Sequence, residues 1–185
     1  MVEVLFFLVI LFGVFLQAAV GFGTVVTMPL GILLMGIGVT KPVVTFVALL
    51  TGLAVLTTEY KHINWREFVK MASVMLVGVL SALWIAGKAK MNFLLIFYSI
   101  VVIGIGVKKL FFPAKQQSSK AMQNTALAIA GIMQGLFVSG GSFLAVYAVD
   151  RMPDKREFRA TTNALWAVLN TVMLITYFVG GQMDK

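Results

Sequence analysis

Charged residues divide this chain into long apolar runs. Because a charge near the centre of a bilayer is costly, the intervals between charges show where the chain can cross a membrane. The charge-free runs are 4–40, 42–58, 71–87, 91–107, 121–149 and 160–183. A helix rises about 1.5 Å per residue and the hydrocarbon core is about 30 Å thick, so four of these runs fit a single crossing each. The pattern predicts an all-α, polytopic integral membrane protein.

The first and fifth runs are too long for one straight helix. Their 37 and 29 residues would reach roughly 55 Å and 44 Å. Glycine leaves helical dihedral angles easily, and nearby hydroxyls can satisfy the backbone groups that a break sets free. We therefore predict that each run forms a helical hairpin broken at glycine. The small residues in the middle of the runs are Gly21-Phe22-Gly23-Thr24 and Ser139-Gly140-Gly141-Ser142.

Composition excludes a soluble globule. Of 185 residues, 60% are hydrophobic and 12% are charged, and the mean hydropathy is +0.97, whereas about a quarter of a soluble domain is charged. The net charge of +8 comes from lysines and arginines between apolar runs, which indicates membrane anchors in a lipid bilayer and no nucleic-acid partner. The chain has no cysteine and a single histidine, His62, so we expect no metal and no cofactor.

The distribution of lysine and arginine predicts the topology. If every run crosses once, the two sides of the membrane carry 8 and 7 of these residues; if the first and fifth runs return to the side they enter, the counts are 11 and 4. The positive-inside rule favours the second arrangement. It predicts a multi-pass protein of the cell membrane with an external N-terminus and cytoplasmic loops at 59–70, 108–120 and 150–159.

The two broken runs share a spacing. Gln17 precedes Gly23 by six residues, and Gln134 precedes Gly140 by six residues. The polar linker 112–120, expected to be cytoplasmic, separates a first transmembrane repeat, 1–111, from an incomplete second repeat, 121–185. If three crossings follow the first hairpin, the second copy enters from the opposite face. This predicts an inverted-repeat, transporter-like bundle with its binding site near the midplane, where the broken helices meet.

Several motifs in order resemble one family. They are Gly21-Phe22-Gly23 ahead of Met28-Pro29-Leu30, Ile63-Asn64-Trp65-Arg66, the stretch 135–143 and Phe158-Arg159-Ala160-Thr161. Together they are similar to the TauE/SafE sulfite exporter family. The resemblance implies an inner-membrane permease for small sulfur-containing anions or organic carboxylates, built from two four-segment halves. Because the second copy here has only two segments, alternatives are a truncated remnant, a homo-oligomer, or a non-transporting subunit whose partner supplies the missing helices.

Backbone groups are the predicted binding elements for a small anion. No lysine or arginine lies inside a long run, whereas helix N-termini offer free N–H groups and a partial positive charge. Glycines that allow close packing, with hydroxyls bonded to their own helix, are the alternative interpretation. Arg159, at the end of its run, could gather anions or only anchor the helix. The predicted substrate-binding residues are Gln17, Gly21, Gly23, Thr24, Gln134, Ser139, Gly140, Gly141, Ser142 and Asn163.

The sequence favours transport over catalysis. A serine nucleophile needs a neighbouring base, and the single histidine lies in a distant loop, so we do not expect an enzyme. No aspartate or glutamate lies within a long run, so the carboxylate of a usual proton relay is missing. We therefore expect export driven by the membrane potential in place of export coupled to protons. Sulfite, thiosulfate, organosulfonates such as sulfoacetate, and small carboxylates all remain candidate substrates.

Overall fold

A computed structural model describes residues 1–86, 91–111 and 119–179, which contain helices and no strand. The linker 112–120 lies outside the described residues except for Ser119 and Lys120. Four helices, α1, α2, α3 and α7, are long and apolar enough to cross a membrane, which confirms the prediction of an all-α, polytopic membrane protein. The helices are α1 (Val2–Val20), α2 (Thr24–Glu59), α3 (Trp65–Ala86), α4 (Met91–Phe111), α5 (Lys120–Phe137), α6 (Gly141–Arg151) and α7 (Lys155–Val179).

Helix α2 contains a turn that the charge pattern did not predict. Gly36 has φ 76° and ψ 167°, whereas the rest of the element is helical, and only glycine adopts such angles readily. The chain therefore changes direction five residues before Lys41, the charge that separates the first two runs. Lys41 lies within the helix, and its Nζ is 5.2 Å from the centre of the Tyr177 ring. This cation–π contact accommodates the charge beside an apolar segment.

Helix α7 forms the centre of the bundle. In its apolar window 61% of the residues are buried, against 11% in α1. Helices α1, α2 and α3 all contact it, and its buried side chains include the polar Thr161, Asn163 and Asn170. Because buried polar groups need partners, α7 is the element on which the hydrogen bonds of the other helices can converge.

Glycines allow α3 and α5 to approach closely. A Cβ atom at Gly131 would lie 2.6 Å from the carbonyl oxygen of Met75, and one at Gly78 would lie 2.9 Å from the backbone of Gly131. Any larger residue would push the two backbones apart. Such close contact replaces the hydrophobic driving force that lipid does not supply between membrane helices.

Two exposed tryptophans on α3 mark the thickness of the apolar layer. Trp65 and Trp84 are 62% and 66% exposed, and their separation of 19 positions corresponds to about 28 Å of helix. This length is close to the thickness of a hydrocarbon core of about 30 Å, and tryptophan is enriched at both membrane interfaces. The separation of Trp65 and Trp84 therefore matches the distance between the two interfaces of a membrane.

The loops at 59–70 and 150–159 lie at the same end of the bundle, which we call the polar end. Glu59 forms an ion pair with Arg159, and Asn64 Nδ2 donates to Glu157 Oε1 at 2.6 Å. Nearby, the Tyr147 hydroxyl donates to Glu67 Oε2 at 2.6 Å. If every run crossed the membrane once, these two loops would lie on opposite sides. The structure shows the two loops in direct contact, and the arrangement with returning hairpins stays a prediction.

Candidate functional site

The first helix break, at residues 21–23, is fixed to α7. Gly21 has φ 83° and ends α1, and its carbonyl oxygen accepts a hydrogen bond from Trp166 Nε1 at 2.7 Å. The Gly23 N–H donates to Gln17 Oε1 at 2.9 Å. A Cβ atom at Gly21 would lie 2.6 Å from Thr162 Oγ1. The break is therefore closed by a side chain of α1 and bonded to Trp166 of α7, and Thr162 of α7 leaves no room for a side chain at Gly21.

The second break, at residues 138–140, repeats this spacing. Val138 ends α5 in the left-handed region, with φ 52°, and its N–H donates to the carbonyl oxygen of Gln134. The Gly140 N–H donates to Gln134 Oε1 at 3.2 Å. In both breaks a glutamine thus precedes the left-handed residue by four positions and accepts from a glycine N–H six positions later.

The same two glutamines also bind asparagines of α7. Gln17 Nε2 donates to Asn163 Oδ1 at 3.4 Å, and Gln134 Nε2 donates to Asn170 Oδ1 at 2.9 Å. Asn163 lies eight residues after the start of α7 and Asn170 nine residues before its end. Since seven residues of helix span about 10 Å, both breaks are attached to the middle third of α7, midway between the two ends of this helix.

The two breaks approach each other beside a cavity. A Cβ atom at Gly141 would lie 2.7 Å from Cδ1 of Phe22, so the backbone of the second break lies against a side chain of the first. The cavity has a volume of about 230 Å³, and none of the described side chains that line it is charged. The first turns of α2 and α6 form much of its wall. The N–H groups of Val25 and Val26 donate to the carbonyl oxygens of Phe22 and Gly23, so it is the first turn of α6, at Gly141 and Ser142, that can offer N–H groups without helical partners. Its lining includes Phe22, Val25, Val26, Gly141, Ser142 and Ala145.

The predicted binding residues occupy three kinds of position. Gly141 and Ser142 line the cavity between the breaks. Thr24 and Gln17 instead line a smaller cavity of about 20 Å³ between α1 and α2, and Ser139 is a buried residue of the second break itself. The other residues form the breaks themselves and their attachment to α7, namely Gly21, Gly23, Gln134, Gly140 and Asn163.

Trp166 was not predicted from the sequence. It is 3% exposed, and a buried indole N–H needs an acceptor. A tryptophan in the middle of an apolar helix could therefore have signalled a hydrogen bond to backbone exposed at a break. The pattern does not reveal which break provides that acceptor, because Trp166 and Gly21 are 145 positions apart.

The N-terminus of α7 is fixed at the polar end by Asp154. Its Oδ1 accepts hydrogen bonds from the N–H groups of Glu157 and Arg156, both at 2.9 Å. These bonds, that of Glu157 first, hold the pKa of Asp154 below its ordinary value. The carboxylate therefore stays ionised and caps the helix one turn before Arg159.

The fold and the paired breaks define a polytopic α-helical membrane protein, and comparison with known proteins identifies its family. The sequence model of the family described as "Sulfite exporter TauE/SafE" matches residues 5–185. The chain belongs to the TauE/SafE sulfite exporter family, as the motifs predicted. It is also 22% identical over 131 residues to the "Probable inner membrane transporter protein TsaS" of Comamonas testosteroni, a match covering 69% of this chain and 54% of TsaS. The chain thus spans about half the length of this relative. No solved structure matches it significantly.

Proposed function

We propose that the protein is an inner-membrane permease that exports small anions: sulfite, other sulfur oxyanions, organosulfonates or small carboxylates. Membership of the TauE/SafE family and the likeness to an inner membrane transporter support transport as the activity. The observation that carries the proposal is the cavity of about 230 Å³ lined by the first turns of α2 and α6. There the anion is held by the N–H groups of the first turn of α6, at Gly141 and Ser142, and by the Ser142 hydroxyl.

Electrostatics favours an anion at this position. Each helix N-terminus carries about half a positive charge, so two of them facing one cavity offset about one negative charge. None of the described residues that line the cavity has a carboxylate that would repel an anion. Apolar side chains such as Val25 and Val26 lower the local dielectric constant, which strengthens the attraction between the anion and the N–H groups. A site of this kind binds an anion without a buried lysine or arginine.

The membrane potential is the proposed driving force. Moving one negative charge out of a cell gains about 2.3 kcal/mol per 100 mV. The acidic residues Glu59, Glu67 and Glu157 lie at the polar end, which the charge distribution assigns to the cytoplasm. A potassium gradient with valinomycin can impose a membrane potential that is positive inside inverted vesicles. The proposal predicts that this potential accelerates anion uptake. A saturable uptake rate that does not respond to the potential would contradict it.

Filling the cavity tests the proposed site. Uptake of labelled sulfite, thiosulfate and a small carboxylate into inverted vesicles is compared for the intact chain and for Ala145→Leu, which places a larger side chain in the cavity. The matched control is Ala128→Leu on the exposed face of α5. We expect saturable uptake that Ala145→Leu abolishes and Ala128→Leu preserves at equal protein amounts. No uptake by the folded intact chain would reject the proposed function. Equal uptake by the two variants would reject the proposed site.

A further inference from the structure

A second cavity, of about 500 Å³, lies between α1, α2 and the polar end of α7. Its lining includes Val14, Thr51, Thr58 and Arg159, and Arg159 is the one charged side chain among the described residues that line it. Val14 and Thr51 also line the smaller cavity that contains Gln17 and Thr24. The larger cavity, which we call the vestibule, therefore leads from Arg159 toward the first helix break.

The Arg159 guanidinium is only partly engaged. One nitrogen, Nη2, pairs with Glu59, whereas Nε is enclosed and makes no hydrogen bond to a described residue. A buried donor without an acceptor is unfavourable and needs an explanation. Glu59 has another neighbour, because its Oε2 lies 3.3 Å from Nδ1 of His62. Arg159 thus has one N–H group without an acceptor among the described residues, and Glu59, its counter-ion, can pair with His62 instead.

We propose that the vestibule is an anion-binding site, distinct from the cavity between the breaks. In the vestibule, Arg159 binds the anionic substrate in competition with Glu59. The proposal rests on the proposed function, because it names the site where the transported anion first binds. A guanidinium presents paired donors that match two oxygens of a sulfur oxyanion or a carboxylate. When the anion binds, Glu59 gives up Nη2 and keeps its contact with His62.

The threonine hydroxyls that line the vestibule already donate hydrogen bonds, so Arg159 is the side chain that can donate to an anion there. Thr51 and Thr58 donate to carbonyl oxygens of their own helix, those of Val47 and Val55. Beyond Thr51 the cavity beside Gln17 holds only about 20 Å³, which is room for about one water molecule. An anion in the vestibule is therefore still separated from the first break, so the site precedes passage through the protein.

Binding to the purified full chain tests the proposal without requiring transport. Equilibrium binding of labelled sulfite and thiosulfate is measured for the intact chain, Glu59→Gln, Arg159→Gln and Arg159→Lys. We expect Glu59→Gln to tighten binding about five-fold, since it removes a partly exposed competing ion pair. Arg159→Gln should weaken binding about ten-fold or more, because a charge-assisted hydrogen bond is lost. The affinity of Arg159→Lys should lie between those of the intact chain and Arg159→Gln, since lysine keeps the charge but not the paired donors.

Two controls separate binding from general charge and from misfolding. Arg156→Gln removes an exposed cation three residues earlier on α7 and should change the affinity less than about two-fold, because exposed charges are screened. The double variant Glu59→Gln, Arg159→Gln leaves neither charge unpaired, so it should fold and still bind weakly.

The outcomes distinguish this inference from the proposed function. If the intact chain transports anions but Arg159→Gln binds them as well as Arg156→Gln does, the vestibule is rejected and transport stands. If the binding changes appear as expected but vesicles show no uptake, transport is rejected and the vestibule stands. Absence of binding by both the intact chain and Glu59→Gln, or unchanged affinity of the double variant, would also reject the vestibule.

Discussion

The first break, at residues 21–23, and the second, at residues 138–140, share their spacing but are held by different contacts. In each, a glutamine accepts a hydrogen bond from a glycine N–H six positions later. The first break is also fixed to α7 through the carbonyl oxygen of Gly21, which accepts from Trp166 at 2.7 Å. For the second, the 2.9 Å bond between Gln134 and Asn170 makes the corresponding attachment to α7.

The shared features show what a break of this kind requires. A Cβ atom at Gly23 would lie 2.0 Å from the carbonyl oxygen of Gly13, and one at Gly140 would lie 2.3 Å from that of Ala130. Each carbonyl belongs to a residue ten positions earlier, so both glycines lie directly against the preceding helix. The left-handed position differs, being glycine in one break and Val138 in the other. Absence of a side chain is therefore essential at the capped glycine of both breaks. At the left-handed position a side chain is accommodated in the second break, whereas in the first a Cβ atom at Gly21 would lie 2.6 Å from Thr162 Oγ1.

The largest expected effect comes from adding a methyl group at a capped glycine. Gly23→Ala and Gly140→Ala should each lower the free energy of unfolding by about 3 kcal/mol or more, since the contacted atoms are backbone and cannot rotate away. Gly23→Ala should cost more, because its Cβ would also lie 2.7 Å from the Gln17 nitrogen. The measurement is unfolding of the purified protein in mixed micelles with increasing dodecyl sulfate.

Gly38→Ala is the matched control for this prediction. Gly38 lies within α2, and no heavy atom is within 4 Å of its Cβ position. Alanine there should be neutral or stabilise the protein by up to about 1 kcal/mol through helix propensity. Comparable losses at Gly38 and at the capped glycines would show that α2 tolerates no alanine, and the contact argument would then be wrong.

Removing the glutamines should distinguish the two breaks. Gln134→Leu leaves the Gly140 N–H and Asn170 without their partner, and the Nδ2 of Asn170 already has no hydrogen bond to a described residue. Asn163, the partner of Gln17, also donates to the carbonyl oxygen of Arg159 at 2.9 Å. We expect a loss of about 2 to 3 kcal/mol for Gln134→Leu and about 1 to 2 kcal/mol for Gln17→Leu.

A double-mutant cycle checks the cause of the Gln134 effect. Combining Gln134→Leu with Asn170→Leu removes both amides, so the pair should cost less than the sum of the two single losses. The unfolding measurement in mixed micelles again applies. Strict additivity would mean that the two amides do not interact, and a larger loss for Gln17→Leu would reverse the ranking of the breaks.

The sequence predicted local features better than contacts between distant residues. The positions of both breaks followed from run length and glycine, and the glutamine spacing was visible because it spans only six residues. The turn at Gly36 was missed, since no charge marks it. The contacts of Trp166 with Gly21 and of Arg159 with Glu59 join residues 145 and 100 positions apart. Such pairs depend on how the helices pack, which neither hydropathy nor charge patterns determine.

The smallest effect should appear at the left-handed residue of the second break. Val138 is fully buried with φ 52°, a conformation that costs a β-branched residue about 1 to 2 kcal/mol. Val138→Gly relieves this strain while losing about 2 kcal/mol of burial, so we expect a net loss of about 1 kcal/mol or less. Val79→Gly, equally buried in helix α3, has no strain to relieve and should lose about 3 kcal/mol. Equal losses at the two sites would show that Val138 is unstrained, and the second break would then differ from the first in its attachment to α7 alone.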